Sequence, residues 1–299
     1  MTVLGVIGGS GVYGIRGARV VAEHSATTPF GEPSDRVFEL ALEAPNVGNT
    51  AGGSAAPAPN FLFLPRHGLG HRYLPSEINY RANILALKQL GATHILAVSA
   101  VGILADGIHP GDLVVPDQIF DRTKGVRAST YFGDGVVGHV SFGTPFCPQF
   151  SRAVSTAAAH QAKVHVGGTY VCMEGPQFST RAESVFYREQ LKASVIGMTA
   201  LPEAKLAREA GLHYAMIALA TDYDCWNPHE GEVSADAVVA VIKGNAQKAN
   251  HVILELAGNI RSLQPSPPCQ CEIAVAHAVM TDPARIKPGI RARLTGILP

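Results

Sequence analysis

Five short segments of this chain carry residue types able to do chemistry. Gly8-Gly9-Ser10-Gly11 follows an apolar run. A glycine-rich turn there exposes backbone N–H groups that can hold an anion, and Ser10 adds a hydroxyl donor. Residues 9–14 also match the G-x-G-x-x-G pattern of dinucleotide sites. The acid required for the ribose contact is poorly supplied, because Glu23 comes too early. Pro65-Arg66-His67-Gly68 closes a second apolar run. Arg66 offers a planar fork that matches phosphate geometry, and His67 can donate beside it. Ser99-Ala100-Val101-Gly102 offers a hydroxyl and exposed N–H groups at a third strand end. In Met173-Glu174-Gly175-Pro176-Gln177-Phe178-Ser179 an aromatic next to a Gly-Pro turn can stack on a planar ligand. Thr221-Asp222-Tyr223-Asp224 follows an apolar strand. Two acids at the end of a buried strand are costly unless they are used. They can accept from an exocyclic amine and share a proton with a ring nitrogen. Each segment also has a plain reading: a turn, a solvated Arg beside a packed His, a strand-to-loop junction, a core Phe, an exposed acidic loop.

The five cysteines, Cys147, Cys172, Cys225, Cys269 and Cys271, are scattered and odd in number. That is not a secreted disulfide framework, and it predicts a reducing, cytoplasmic compartment. Cys269-Gln-Cys271 suggests metal binding, but no second Cys pair or ordered His spacing accompanies it. The pair reads as free thiols, and no metal is expected.

These segments need a scaffold. The chain has 299 residues, 46% hydrophobic and 16% charged, with 24 basic residues balancing 24 acidic ones. Disorder is excluded by the apolar content. The absence of a basic excess argues against nucleic-acid and membrane-surface partners. A weakly charged surface favours self-association. The longest apolar stretch, Ile95 to Ala105, is too short to span a bilayer, and the opening residues lack the basic start of a signal peptide.

Apolar runs predict strands at Val3–Ile7, Phe38–Leu42, Phe61–Pro65, His94–Ser99, Asp112–Pro116, Thr169–Met173, Ser194–Met198 and His213–Ala220. Helices are predicted over Glu77–Leu90 with Ser76 as cap, over Ser184–Leu191 behind the capping box Thr180–Glu183, over Glu203–Ala210, and from Ser234 onward. The alternation gives an α/β fold. Residues 1–263 are expected to form one domain, with 43–60 a surface insertion and 264–299 a tail packing on it.

Taken in order, VIGGSGVYG (6–14), PRHGLGHRYLP (65–75), PGDLVVPDQIFDRT (110–123), MEGPQFSTRAES (173–184), IGMTALPEAKLAREAG (196–211) and ATDYDCW (220–226) resemble the trimeric purine nucleoside phosphorylases. Within them the chain is most similar to the branch that cleaves 5′-methylthioadenosine. The resemblance covers roughly residues 3 to 256. It implies a single domain with a mixed, partly barrel-like central sheet surrounded by helices. It also implies a homotrimer, or a hexamer of two trimers.

The resemblance implies site roles as well. Phosphate would be held by Ser10, Arg66, His67, Ser99 with the Ala100 backbone, and Thr199. The ribose would pack on Met198, with His71 near the phosphate–ribose region. The purine would stack near Phe178, Ser179 would help set specificity, and Asp222 and Asp224 would face N7 and the 6-amino group. His139 would reach the neighbouring subunit's 5′-substituent pocket, lined also by Ala235 and Val238. Ser10 and Ser99 stand where Thr is common, which keeps the hydroxyl. Ala235 stands where Val is frequent, which predicts a roomier 5′ pocket. The expected reaction is reversible phosphorolysis with Asp222 as general acid, phosphate as co-substrate and no cofactor. A nicotinamide-dependent dehydrogenase, a nucleoside-binding protein without turnover and a 6-oxopurine phosphorylase are the alternatives. The last would favour Asn over Asp at 222.

Overall fold

The computed structural model describes residues 2–9, 12, 14–43, 60–227, 235–263 and 269–299, without the side chains of 235–240 and 242. The first half of the chain contains β1 (Leu4–Gly8), β2 (Ala18–His24), β3 (Val37–Leu42), β4 (Asn60–Pro65), α1 (Tyr80–Gln89) and β5 (His94–Ile103). It continues with β6 (Leu113–Val115), β7 (Gln118–Arg122) and α2 (Pro148–Ala159). The second half holds β8 (Val164–Val166), β9 (Thr169–Met173), α3 (Arg181–Glu189), β10 (Val195–Gly197), α4 (Ala200–Glu209) and β11 (His213–Asp222). The long α5 (Ala235–Asn259) and short α6 (Pro288–Arg293) complete it.

The strands form one mixed sheet in the order β2-β3-β4-β1-β5-β10-β9-β7, and β11, β6 and β8 branch from β5. The fold is therefore α/β with a mixed central sheet, as expected. β5 is its hub. β1 pairs with β5 in parallel from His94 to Ala97, and β10 pairs with it antiparallel at Gly102 and Ile103. β11 runs parallel to β5 from His94 to Gly102. β5 thus changes neighbour between Ala97 and Gly102, and the gap between β1 and β10 opens a crevice. Ligand sites in α/β sheets favour such switch points.

β5, β11, β1 and β4 are apolar on both faces because helices or chain cover both sides. One cluster centres on α1 and α4, with Ile84, Leu87, Leu206 and Tyr214. The other centres on α2 and α5, with Phe150, Val154, Ile253 and Leu256. Leu294 and Ile297 of the tail are buried in the first cluster.

Several local expectations are corrected. The helix after residue 76 begins at Tyr80, not Glu77, and its cap is Asn79, whose side chain accepts from the Ala82 amide. Residue type alone does not rank Asn79 above Ser76, since Asn and Ser cap equally well. Gly91 stands just past the end of this helix, at φ 93. β5 runs four residues past Ser99, because the β10 and β11 pairings extend it. The sequence reading places no element at β2, β7, β8, α2 or α6. β2 and β7 are largely exposed and lack an apolar run. α2 had a readable signal in Pro148 at its first turn and in Phe150, Val154, Ala157 and Ala158 on one face. The capping box formed as expected between Thr180 and Glu183. Residues 44–59 of the expected insertion lie outside the described residues, although its flanking strands pair antiparallel as β3 and β4.

Candidate active site

The crevice at the β5 switch is a cavity of about 330 Å³, at the small end of ligand pockets. Its walls include Gly9, Arg66, Ser99, Phe178, Met198 and Asp222. Segments remote from one another in the chain therefore meet in one place. The sheet makes this happen: β1, β4 and β5 are adjacent and parallel, so Gly9, Arg66 and Ser99 emerge side by side.

One end of the cavity is suited to an anion. Ser99 Oγ lies 3.3 Å from Thr199 Oγ1, and both residues are buried. Thr199 comes from the turn leading into α4. Ala100 lies beside Ser99 on the stretch of β5 that has neither β1 nor β10 as neighbour. Gly9 approaches so closely that a Cβ there would sit 2.6 Å from the Val98 carbonyl and 2.8 Å from Arg66 Nη1. Only glycine fits that contact.

Arg66 is placed differently from the expectation of a fork presented to phosphate. Its side chain is 0% exposed, as is that of Glu203. Nε and Nη2 donate to the Glu203 carboxylate at 2.8 and 3.0 Å. Nη1 donates to the Val98 carbonyl at 2.9 Å and Nη2 to the Ile7 carbonyl at 3.3 Å. Described residues so engage four of the five guanidinium hydrogens, and Nη1, which carries the fifth, lies beside Gly9. Burial works against the Arg66 charge, but Glu203 outweighs it and the pKa is raised. Arg66 is thus a held positive charge whose fork is closed on Glu203 and two backbone carbonyls, not an open fork.

His67 is also corrected in detail. Its Nδ1 lies 2.8 Å from the Tyr73 carbonyl, which assigns the proton to Nδ1. Burial lowers its pKa to about 4, with the Arg66 charge adding to the effect. At neutral pH it is an uncharged imidazole with Nε2 as an acceptor, suited to a phosphate hydroxyl rather than to a bare oxyanion. His71, at φ 57, stacks on it with ring centroids 4.2 Å apart and also lines the cavity.

The other end carries the acids. Asp222 ends β11, where its Oδ2 accepts from Thr221 Oγ1 at 2.6 Å and its Oδ1 from the Asp224 amide at 2.9 Å. Desolvation raises the pKa of both acids, and each lies in the cavity wall. Asp224 is buried with its backbone at φ 50. Its Oδ2 is buried without a hydrogen bond of good geometry, and the hydroxyls of Ser184 and Ser179 act on this carboxylate. Gly102 faces the pair: a Cβ there would lie 3.0 Å from Ile196 and 3.4 Å from Asp222 Oδ1. Phe178 is 48% exposed at the mouth, an unburied aromatic ring able to stack. Ser179 is not in the wall. It stands behind, its hydroxyl acting on Asp224 and 3.8 Å from Met173 Sδ.

Three expected residues, Ser10, Ala235 and Val238, lie outside the residues or side chains described. His139 is not brought to the cavity. It is exposed in a separate hollow with Phe132, Val137 and Glu209. Among the described residues the element that follows β1 is β2, not a helix, and Glu23 pairs with Arg36 at 2.8 Å on that exposed strand. The dinucleotide reading lacks both its helix and its acid.

Sequence reasoning missed the ions that hold the site. Arg127 donates to the Glu174 carboxylate at 2.6 Å and to the Leu201 carbonyl at 2.8 Å. It thereby ties the Glu174–Phe178 turn to the Met198–Leu201 turn. Glu174 and Glu203 lay inside quoted motifs. For Glu203 the readable signal is a carboxylate on the buried, otherwise apolar face of a short helix, which requires a cation.

A family model described as the phosphorylase superfamily matches residues 3–257. The chain belongs to the phosphorylase superfamily. It is 48% identical over 297 residues to the S-methyl-5′-thioadenosine phosphorylase of Geobacter sulfurreducens, covering 99% of this chain and 98% of that one. Among solved structures it resembles a methylthioadenosine phosphorylase from an antarctic soil metagenomic library. The TM-score is 0.87 at 43% identity, covering 100% of this chain and 99% of the other. The methylthioadenosine phosphorylase of Schistosoma mansoni in complex with adenine gives a TM-score of 0.79 at 33% identity, over 99% and 98% of the two chains.

Two outcomes follow from this geometry. Glu203→Ala leaves Arg66 charged, buried and unpaired, and is expected to destabilise the protein by about 3–5 kcal/mol. Glu203→Gln should lose less, and the chemical denaturation midpoints of the three proteins measure the difference. Asp222→Asn should raise the melting temperature at neutral pH. The folded pKa of Asp222 lies above its unfolded value, so the parent loses stability as pH rises through that window. Melting curves of parent and variant should therefore converge below the unfolded value of about 4 and separate above it.

Proposed function

We propose that this protein cleaves the N-glycosidic bond of 5′-methylthioadenosine reversibly with phosphate, giving adenine and 5-methylthioribose 1-phosphate. The observation that carries the reading is one cavity with two chemically distinct ends. Hydroxyls and a held cation stand at the β5 switch, and two desolvated carboxyls stand at the end of β11. The names of the relatives agree with it.

In this reading Ser99, Thr199, the Ala100 backbone, His67 and the Nη1 hydrogen of Arg66 hold phosphate below C1′, with Ser10 as a further donor. Met198 lies along the ribose, and Phe178 stacks on the purine. The C1′–N9 bond breaks as a phosphate oxygen approaches C1′, through a transition state with oxocarbenium character. The electron pair of the broken bond stays on the purine. A proton from Asp222 to N7 neutralises it, and burial, by raising the Asp222 pKa, favours the protonated acid that this step needs. Asp224 accepts from the 6-amino group. The phosphate charge offsets the ribosyl cation, so the reading requires no cofactor.

The base preference follows from hydrogen-bond polarity. A 6-amino group donates, whereas a 6-oxo group would set a carbonyl against a carboxylate, a buried mismatch. Base release from methylthioadenosine, adenosine and inosine, each with and without phosphate, tests the reading. Cleavage should require phosphate and favour the 6-aminopurines by several orders of magnitude. Asp222→Asn should lower methylthioadenosine cleavage by about 10²–10⁴-fold while improving the relative use of inosine. Cleavage without phosphate would indicate a hydrolase instead.

The reading extends to assembly and place. A homotrimer, alone or paired into a hexamer, would let the exposed His139 complete a neighbour's 5′ pocket. The free cysteines accord with a cytoplasmic location. Among the described residues no helix is long and apolar enough to cross a membrane. Light scattering should give a mass of three or six chains, and His139→Ala should alter KM for the nucleoside without altering KM for phosphate. An active monomer would remove this part of the proposal.

A further inference from the structure

At the opposite end of β11 from Asp222, about 30 Å along the strand, a second group of reactive side chains converges. Cys147, His213, Cys269 and Cys271 each turn one ligand atom inward, and all four atoms lie within 4.8 Å of one another. They come from three remote parts of the chain: the residue before α2, the first residue of β11, and the tail after residue 268. Cys147, His213 and Cys271 are buried and Cys269 is half-buried.

The distances have the dimensions of a coordination tetrahedron. Zinc at about 2.3 Å from sulfur and 2.0–2.1 Å from nitrogen sets its ligands about 3.8 Å apart for two sulfurs and about 3.6 Å for sulfur and nitrogen. Here Cys147 Sγ and Cys269 Sγ are 3.7 Å apart. His213 Nδ1 lies 3.4 Å from Cys147 Sγ and 3.1 Å from Cys269 Sγ. The imidazole is also oriented as a ligand. Its Nε2 lies 3.1 Å from Glu272 Oε1, which places the ring proton there and leaves the Nδ1 lone pair facing the sulfurs. Metal-bound histidines commonly rest on such a carboxylate. The ring is further held by stacking on His94, with centroids 4.2 Å apart.

We propose that Cys147, His213, Cys269 and Cys271 form a structural zinc site that clamps the C-terminal tail to α2 and β11. Four protein donors close the tetrahedron with no position left for water or substrate, the mark of a structural rather than catalytic site. Three thiolates and a neutral imidazole suit a borderline-soft cation, whereas an all-oxygen ion such as magnesium or calcium finds no ligand here. With three thiolates and a neutral imidazole around a dication, the occupied centre carries one net negative charge. The N-terminus of α2, where Cys147 stands as the cap residue, and the Arg208 cation acting on Cys271 offset that charge. The sequence pattern concealed the site because its one regular element is a lone Cys-x-Cys. The third sulfur and the imidazole arrive only when α2 and β11 pack together.

The test measures metal in the full-length protein purified without chelator from cells grown with zinc. One zinc per chain is expected by elemental analysis. Exchange for cobalt should give the visible spectrum of a tetrahedral thiolate site. Removing the metal with a strong chelator under reducing conditions should lower the melting temperature and expose the tail to protease, and added zinc should reverse both. Cys269→Ser, at the half-buried position, should lose most of the bound zinc, as should His213→Asn if it folds. Protein without stoichiometric zinc that fails to take it up after reduction would overturn the proposal. So would an intact mass two hydrogens low with peptide mapping to a disulfide among Cys147, Cys269 and Cys271. Phosphorolysis can fail while zinc binds, or proceed while it does not, so this result and the functional reading are judged separately.

Discussion

The buried pair between Arg66 and Glu203 is the contact on which the site's shape depends. Arg66 stands just past β4, Glu203 lies in α4, and the guanidinium also donates to carbonyls of Ile7 in β1 and Val98 in β5. Tyr214 of β11 donates to the same carboxylate at 2.9 Å. Four strands and a helix are thereby tied at one point directly beneath the cavity. The arrangement obeys a strict physical constraint. A guanidinium withdrawn from water must have its hydrogens engaged and its charge balanced, or the fold loses more than it gains. Satisfying Arg66 fixes the ends of β1 and β4 against the middle of β5. That fixes where Gly9, Ser99 and Thr199 lie. Nη1 of Arg66 lies beside Gly9 at the cavity wall.

The same strand pairing that builds the crevice gives β11 two chemically different ends. Its buried middle, from Tyr214 to Ala220, is apolar and tolerates no charge. Polar chemistry is confined to where the strand emerges, with His213 at one end and Thr221, Asp222 and Asp224 at the other. At the cavity end, desolvation raises the pKa of both carboxyl groups, and Gly102 leaves room for them. At the far end, desolvated thiols and an imidazole face one another across elements that have no other reason to share sulfur. One end sets two desolvated carboxyl groups in a cavity wall, and the other sets three thiols and an imidazole between elements remote in the chain.

Rigidity around the cavity comes from a second buried pair. Arg127 reaches Glu174 and the carbonyl of Leu201, joining the turn that carries Phe178 to the turn that carries Met198 and Thr199. The aromatic at the mouth and the hydroxyl at the floor are set by one side chain from the loop after β7. A change at Arg127 would therefore act on both ends of a bound ligand without touching it.

Much of this was legible in the chain itself. Continuous apolar runs such as His94–Ser99 and His213–Ala220 demand burial on both faces, which gave an α/β fold with a covered sheet. The capping box at Thr180–Glu183 and the glycine at 91 mark helix ends through local hydrogen bonding alone. The motifs around Arg66, Ser99, Phe178 and Asp222 identified candidate chemistry, because their residue types sit at the ends of those runs. Local pattern carries no information about which donor meets which acceptor across the fold. Only tertiary structure decided that the fork of Arg66 closes on Glu203, that His67 is neutral, and that His139 stays away from its own chain's cavity. Only it brought Cys147 and His213 to Cys269 and Cys271. Strand order and helix packing set those meetings, and both depend on the whole chain at once.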